Sequence, residues 1–215
     1  MLTAAIAACT FEDVSIDERP IPRVYIVDQD GKRWDVTQAV HRFGYEAGSF
    51  HFGLGAQAIP PLVDPPVVSA GEPGFAPADS DFAVVGVVSG AEERAYGEAE
   101  VAGWEVVDDR PGGAPVALVY QPFSDRVDAW RRVAGSDTLT MSHSGWTYAQ
   151  QTVLYDFETE SMWHRLPGTT VLTCISGSHV GATLSPVSAQ RTTWPQWLSA
   201  NPQTRLLFVA PPPQP

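Results

Sequence analysis

Apolar and polar residues alternate with a period of two along much of the chain. Residues 23–37, RVYIVDQDGKRWDVT, alternate on both sides of Asp30-Gly31, which predicts a β-hairpin with a tight turn. From residue 81 onward, short strand-like runs recur at intervals of about ten residues, a spacing typical of all-β barrels and sandwiches. The pattern predicts a mainly β, compact antiparallel barrel- or sandwich-like domain. Its later strands are expected at 81–97, 126–134, 137–142, 151–157, 161–166, 169–175 and 182–184.

Two segments have the signals of short helices. The first begins at a Thr37 cap and ends at Gly44. The second has Thr193 as its cap and Pro195 in the first turn, and it ends at Asn201. These two elements predict a few short helices beside a mainly β core.

The segment FHFGLGAQAIPPLVDPPVV, which starts at Phe50, is too rich in Gly and Pro for regular structure. We expect it to wrap the surface and to turn Phe50, Phe52, Leu54 and Ile59 inward.

The composition is that of a folded protein, with 44% hydrophobic and 18% charged residues in a chain of 215. The 25 Asp and Glu residues outnumber the 13 Lys and Arg residues, which gives a formal charge of −12. Such a surface repels a phosphate backbone, so nucleic acid is excluded as an expected partner. No run approaches the length of a membrane-spanning helix.

The N-terminus, MLTAAIAACTFEDVS, carries a small-residue pair directly before Cys9 and turns acidic after it. This arrangement resembles the lipobox of bacterial lipoproteins. It favours an N-terminal tether over residues 1–22, a lipid anchor at Cys9 and an extracytoplasmic location. Only eight residues precede Cys9 and the first basic residue is Arg19, so an apolar N-terminus without a signal is the alternative.

Three longer segments together carry a family resemblance. They are ERAYGEAEVAGWEVVDDRPGGAPVALVYQPFS, SGWTYAQQTVLYDFETESMWHRLPG and TTWPQWLSANPQTRLLFV. They resemble bacterial domain-of-unknown-function family 3179, whose motifs are an Arg-Ala-Tyr-Pro strand, a Trp-His-Glu-Ile-Val-Asn-Asp stretch, a Tyr-Cys-Pro-Leu-Cys turn, a Tyr-Asp-x-x-Thr-x-Ser-x-Trp hairpin and a Thr-Trp-x-x-Trp helix. The resemblance implies a single domain over residues 23–209, followed by a Pro-rich tail at 210–215. The family has no established activity to carry over.

The resemblance also implies a site that this chain has altered. Gln121 and Ser124 stand where the family has the two Cys of its turn, and Trp104 stands where it has the His before Glu105. Thiolates near an imidazole suit a soft metal ion or thiol redox chemistry, whereas an amide, a hydroxyl and an indole do not. We therefore expect no metal and no cofactor at this turn. Gln121 and Ser124 are expected to hydrogen-bond the turn's own backbone, and Trp104 is expected to fill the vacated volume.

Two histidines leave a second interpretation open. His143 or His164, with Glu105, could replace the missing ligands in a rebuilt metal or redox site. Together with His179, the two could also form a three-imidazole cluster.

Aromatic and acidic side chains suggest two further hypotheses. Five tryptophans could line a carbohydrate cleft, although a core position is expected first: Trp130, Trp146, Trp163, Trp194 and Trp197. Asp156, Glu158 and Glu160 alternate along YDFETES and are expected on a solvated outer face, with Phe157 on the buried side.

The altered site favours a non-catalytic binding or structural protein, for example an extracytoplasmic accessory subunit docked on a larger membrane-associated complex. Protein partners are expected, and the acidic surface suits a basic one. The membrane would be reached only through the lipid anchor. The alternatives are a metal-binding or redox enzyme with a rebuilt site, and a carbohydrate-binding module.

Overall fold

A computed structural model describes residues 20–56, 58–207 and 209. Cys9 and the tail 210–215 lie outside this range. Among the described residues, no helix is long and apolar enough to cross a membrane.

The helices are α1 (Thr37–Phe43), α2 (Glu98–Trp104) and α3 (Trp194–Ala200), with 3-10 turns at Ala47–Ser49 and Pro111–Gly113. The strands are β1 (Tyr25–Val27), β2 (Arg33–Asp35), β3 (Phe50–Phe52), β4 (Leu62–Val63), β5 (Val67–Val68), β6 (Ala83–Ser89), β7 (Glu92–Gly97), β8 (Val106–Asp109), β9 (Val116–Gln121), β10 (Arg126–Arg131), β11 (Val133–Ala134), β12 (Asp137–Thr138), β13 (Met141–Tyr148), β14 (Gln151–Asp156), β15 (Met162–His164), β16 (Leu172–Ser176), β17 (Thr183–Leu184), β18 (Ala189–Thr193) and β19 (Arg205–Leu207).

Three sheets carry most of the fold. The six-stranded sheet has the order β17-β16-β15-β14-β13-β3, the central sheet β10-β9-β8-β4, and the five-stranded sheet β18-β6-β7-β19-β5. Their strands pair antiparallel, except that β4 runs parallel to β8 and β19 runs parallel to β7. No sheet of the described part of the chain closes into a barrel. The prediction of a mainly β, sandwich-like fold is confirmed.

The central sheet is covered on both faces. Ala117 of β9 packs in a core with Trp163 of the six-stranded sheet. Its neighbour Leu118 packs on the opposite side, in a core with Val85 of the five-stranded sheet. Successive side chains of a strand point to opposite faces, so a strand between two cores must be apolar at consecutive positions. The run VALV at the start of β9 meets this requirement and places the central sheet between the other two.

Helix α3 covers the outer face of the five-stranded sheet. A Cβ atom at Gly86 of β6 would lie 2.2 Å from the ring of Trp197, so glycine is needed for this close packing. The indole of Trp197 donates to Thr204 Oγ1 at 2.8 Å, and that of Trp194 donates to the Pro77 carbonyl at 2.9 Å. Both large rings are buried with their polar atoms paired, and the predicted C-terminal helix is confirmed.

The β1–β2 hairpin and α1 cover the outer face of the six-stranded sheet. Ile26 pairs with Trp34 across the hairpin, and both side chains are buried in the core on that face. Helix α1 ends at Gly44, whose φ of 73° is left-handed, as the sequence predicts. Thr37 is the first helical residue and not the cap, and its Oγ1 accepts the backbone N–H of Val24 at 2.9 Å.

Helix α2 is an element that the hydrophobic pattern does not predict. It follows β7 directly, has Glu98 and Glu100 in its first turn, and buries Val101. Its last residue is Trp104, so this helix positions Trp104 and the following Glu105.

Candidate functional site

Strand β9 ends at Gln121, where the turn at 121–124 begins. Gln121 is buried, and its Oε1 accepts the backbone N–H of Thr152 on β14 at 3.0 Å. Ser124 is exposed, and its backbone N–H donates to the Gln121 carbonyl at 3.1 Å. The Gln121 side chain therefore links the central sheet to the six-stranded sheet, and the expectation that it bonds the turn's own backbone is wrong. The side chains of Gln121 and Ser124 therefore occupy different environments.

Trp104 and Glu105 mark the end of α2 next to this turn. Trp104 is half-buried and packs against the core between the central and five-stranded sheets. Glu105 has φ 58° and ψ −35°, an uncommon conformation for a residue other than glycine. Hydrogen bonds on both sides hold it there. The Glu105 N–H donates to the Val101 carbonyl at 2.9 Å, and the Glu105 carbonyl accepts the N–H of Tyr120 at 2.7 Å.

A bulge in β13 shapes the surface that faces Glu105. The pairing register of β13 with β14 shifts between His143 and Thr147, around Gly145 with φ 84°. A Cβ atom at Gly145 would lie 2.3 Å from the carbonyl oxygen of Leu54, and the Gly145 carbonyl accepts the N–H of Gly53 at 2.9 Å. Glycine at 145 therefore allows the loop after β3 to lie directly on the bulge.

An open pocket of about 200 Å³ lies between the turn at 121–124, Glu105, the bulge and the loop after β3. Leu54 and Phe123 line it and are 62% and 64% exposed, the highest values for large apolar side chains in the described part of the chain. The expectation that Leu54 turns inward is therefore wrong, and the sequence pattern gives Phe123 no role. The lining residues are Gly53, Leu54, Gly55, Ala58, Ile59, Glu105, Pro122, Phe123, His143, Gly145, Trp146, Thr147 and Thr152.

Glu105 and His143 supply the charged chemistry of the pocket. Glu105 Oε2 lies 3.0 Å from His143 Nε2, with the two side chains 22% and 12% exposed. The oxygen lies off the direction of the ring N–H, so the contact is not a directed hydrogen bond. Among the described lining residues there is no second carboxylate and no Lys or Arg. The pair can attract a cation or exchange a proton with a bound group.

His164 and His179 do not join this pair. His164 is buried, with its Nδ1 2.6 Å from the hydroxyl of Tyr45, and burial lowers its pKa to about 4. The ring of His179 lies beside Trp163. Within the described ranges, no three His, Cys, Asp or Glu side chains come together in a way that could hold a metal ion. The three-imidazole hypothesis is therefore wrong, and a rebuilt site is reduced to Glu105 and His143.

The five tryptophans considered for a carbohydrate cleft are all buried in the cores. None is more than 5% exposed, although Trp146 also borders the pocket. The core interpretation is confirmed, and the five rings do not line a common cleft.

Asp156 is fully buried, which contradicts the expected solvated face. Its Oδ2 accepts the indole N–H of Trp163 at 2.7 Å, and its Oδ1 accepts the backbone N–H and the hydroxyl of Thr159, each at 2.7 Å. Phe157, expected on the buried side, is 40% exposed. The Tyr-Asp-x-x-Thr-x-Ser-x-Trp motif thus forms a buried hydrogen-bonded turn. Glu158 and Glu160 are exposed as expected.

The fold and the site together define a mainly β, sandwich-like domain with a largely apolar pocket beside the turn at 121–124. The chain belongs to the family described as "Protein of unknown function (DUF3179)", whose model matches residues 56–212. The resemblance seen in the sequence is thereby confirmed. Glu105, Phe123 and His143 lie inside the matched region, while the β1–β2 hairpin and α1 precede it. Neither a curated protein nor a solved structure matches the chain.

Proposed function

We propose that this chain is a non-catalytic binding protein, an extracytoplasmic accessory subunit that docks on a protein of a larger membrane-associated complex. The docking surface is the pocket face, formed by Leu54, Ile59, Pro122 and Phe123. One observation carries the proposal: the two most exposed large apolar side chains of the described residues line the same pocket. Exposed apolar patches on folded domains commonly mark interaction sites.

The energetics of the pocket face support this role. Covering a Leu or Phe side chain that stands in water is favourable by about 1.5–3 kcal/mol each. Burial of Leu54 and Phe123 by a partner would therefore contribute several kcal/mol to the free energy of binding. At the altered turn, Gln121 serves as a link to β14 and Ser124 presents only a hydroxyl. The turn thus acts in this proposal as a support for Phe123 and not as a reactive centre.

The location in the proposal depends on Cys9. Lipidation there would hold the domain at the outer side of a membrane, near a membrane-associated partner. Mass spectrometry of the N-terminal peptide from the native host tests this directly. A diacylglyceryl Cys9 without residues 1–8 is the expected result, and an intact Met1 with an unmodified Cys9 would exclude the anchor.

Capture of partners from detergent extracts of the native host tests the docking surface. We expect the double variant Leu54→Asp, Phe123→Asp to lose a partner that the wild type retains. The control is Val27→Asp, Val88→Asp, which places the same charges on two apolar side chains that are exposed elsewhere. Equal capture by all three proteins, or a free monomer as the sole species in the extract, would overturn the proposal.

A second candidate function uses the Glu105–His143 contact. A carboxylate 3.0 Å from an imidazole can act as an acid–base pair or contribute two ligands to a metal ion. Structural zinc sites use four protein ligands and catalytic ones three, so a further donor would have to come from the bound group. Metal analysis of the purified protein tests the metal-binding form. Stoichiometric copper, zinc or iron that is lost in His143→Gln would favour this candidate over the binding protein.

A further inference from the structure

We propose that the pocket receives a basic side chain of the protein partner, most favourably an arginine, with its cationic head at Glu105. This inference rests on the proposed function and specifies the chemistry of the group that docks. It follows from the size of the pocket, its charge, the nature of its walls and the way Glu105 is held.

The size of the pocket suits one side chain. Small-molecule and cofactor sites typically enclose about 300–1,000 Å³. The volume here is about 200 Å³, and the pocket is open on one side. A single large side chain projecting from a protein surface fills such a space, whereas a larger ligand would remain mostly outside it.

The charge of the pocket favours a cation. Glu105 is the sole carboxylate among the described lining residues, and no Lys or Arg lies among them to neutralise it. His143 Nε2 lies 3.0 Å from Oε2 without a directed hydrogen bond, so the carboxylate keeps the capacity to accept from a ligand. The chain as a whole carries a formal charge of −12. A basic partner is therefore attracted over long range and finds a carboxylate at the docking site.

The walls suit the stem of a basic side chain. Arg and Lys combine an apolar stem with a charged head, and they bury the stem along apolar surface. Leu54 and Ile59 offer aliphatic contact, and Phe123 offers an aromatic ring at the same pocket. The planar guanidinium is more weakly hydrated than an ammonium and stacks on aromatic rings. These properties favour arginine over lysine.

The backbone holds Glu105 in place before any partner binds. Its positive φ is held by the backbone hydrogen bonds to Val101 and Tyr120, which fix the point from which the side chain projects. Uncommon backbone conformations of this kind cluster at binding and active sites. A backbone that is already ordered at Glu105 lowers the cost of binding a flexible basic side chain there.

Titration of the wild-type protein with capped tripeptides tests the inference without relying on any variant. The central residue is arginine, its neutral isostere citrulline, or norleucine, and the readout is the NMR shift of the Gly53, Gly145 and Thr152 amides at millimolar peptide. The arginine peptide is expected to shift these signals saturably and to bind about 10-fold more tightly than citrulline. Equal binding of the two, or no saturable shift with arginine, would overturn the inference.

Two variants of equal net charge separate the local carboxylate from the overall charge. Glu105→Gln is expected to abolish the preference for arginine over citrulline. Glu93→Gln, on β7 and away from the pocket lining, is expected to retain it. Loss of the preference in both variants would assign it to the global charge and refute the role of Glu105.

The same variants distinguish this inference from the proposed function. If Glu105→Gln captures the native partner as well as the wild type while Leu54→Asp, Phe123→Asp does not, docking is supported and the basic side chain is refuted. If neither variant reduces capture, the proposed function fails, and the peptide titration alone decides whether the pocket selects a cation.

Discussion

The two ends of strand β8 carry carboxylates that are used in opposite ways. Asp109, at the C-terminal end, is 3% exposed, and both its oxygens lie 2.6 Å from Nη1 of Arg94. The hydroxyl of Tyr96 donates to the same carboxylate at 2.8 Å. Glu105, just before the strand, lines an open pocket, where its Oε2 lies 3.0 Å from Nε2 of His143. Two carboxylates four positions apart therefore differ in how fully their hydrogen-bonding capacity is used.

Asp108, the neighbour of Asp109, shows that this end of β8 is committed to the fold. Its Oδ2 accepts the backbone N–H of Met141 at 2.7 Å, and its Oδ1 lies 3.7 Å from Nε of Arg132. Burial raises the pKa of Asp108 to about 8 despite the nearby guanidinium. The hydrogen bond ties the central sheet to the six-stranded sheet.

The contrast separates structural carboxylates from one that is free to bind. Buried polar groups in folded proteins are nearly always paired, and a saturated network adds rigidity without leaving capacity for a ligand. Arg94, Tyr96 and Asp109 form a buried network of this kind, so these side chains serve the fold. Glu105 belongs to the same stretch of sequence but lines an open pocket, and this is why the proposal places the binding role there.

The largest expected effect is at the buried Arg94–Asp109 pair at the end of β8. Arg94→Ala leaves the carboxylate of Asp109 buried without its cation, and we expect a loss of about 3–5 kcal/mol in the free energy of unfolding. Chemical denaturation measures it. The double variant Arg94→Met, Asp109→Leu should cost less than the sum of Arg94→Met and Asp109→Leu measured singly, because no unpaired charge remains.

Glu105→Gln is the matched control, and it should change the free energy of unfolding by no more than about 0.5 kcal/mol. A loss below about 1 kcal/mol in Arg94→Ala would erase the proposed difference between the two ends of the strand.

A buried imidazole offers a second comparison with the open pocket. Burial lowers the pKa of His164 to about 4, below its value of 6.5 in an unfolded chain. As the pH falls, the unfolded state therefore binds a proton before the folded state does. This lowers the free energy of unfolding by about 3 kcal/mol in total between about pH 6.5 and pH 4. Asp108 acts in the opposite direction, because a raised pKa makes its contribution fall as the pH rises from 3.8 to about 8.

The difference in free energy of unfolding between the wild type and His164→Gln isolates the contribution of His164, because Asp108 is present in both proteins. At pH 8 the free energy of unfolding of His164→Gln should be lower than that of the wild type, because the variant lacks the contact with Tyr45. The difference between the two proteins should narrow as the pH falls to 4. His51→Gln, on the exposed side of β3, provides the control. A gap that stays constant across this range would mean that folding does not shift the pKa of His164.

Local sequence signals predict the parts of this fold that depend on neighbouring residues. The alternation around Asp30-Gly31 predicts the β1–β2 hairpin, and Gly44 and Pro195 predict the limits of α1 and α3. Helix α2 is missed because seven residues with a glycine next to the last carry little periodicity. Its Ala and Glu content and its acidic first turn are the signals that could have revealed it.

The candidate site could be predicted only in part, because it is assembled from distant segments. The family resemblance locates the turn at Gln121 and the stretch at Glu105. It does not reveal that His143 approaches Glu105, since that contact depends on the bulge at Gly145 in another sheet. The exposure of Leu54 has the same origin, because the loop after β3 lies on this bulge. The apolar composition of this loop alone predicts that Leu54 is buried.

The smallest expected effect on stability, and the sharpest test of the comparison, is at Glu105. A residue other than glycine at positive φ costs about 1–3 kcal/mol, whereas glycine accepts this conformation but adds about 0.5–1 kcal/mol of unfolded-state entropy. We therefore expect Glu105→Gly to be as stable as the wild type or about 1 kcal/mol more stable, measured by chemical denaturation. The same variant should lose binding of the arginine peptide. A loss of stability above about 1 kcal/mol would instead place Glu105 with Asp109, as a carboxylate that the fold requires.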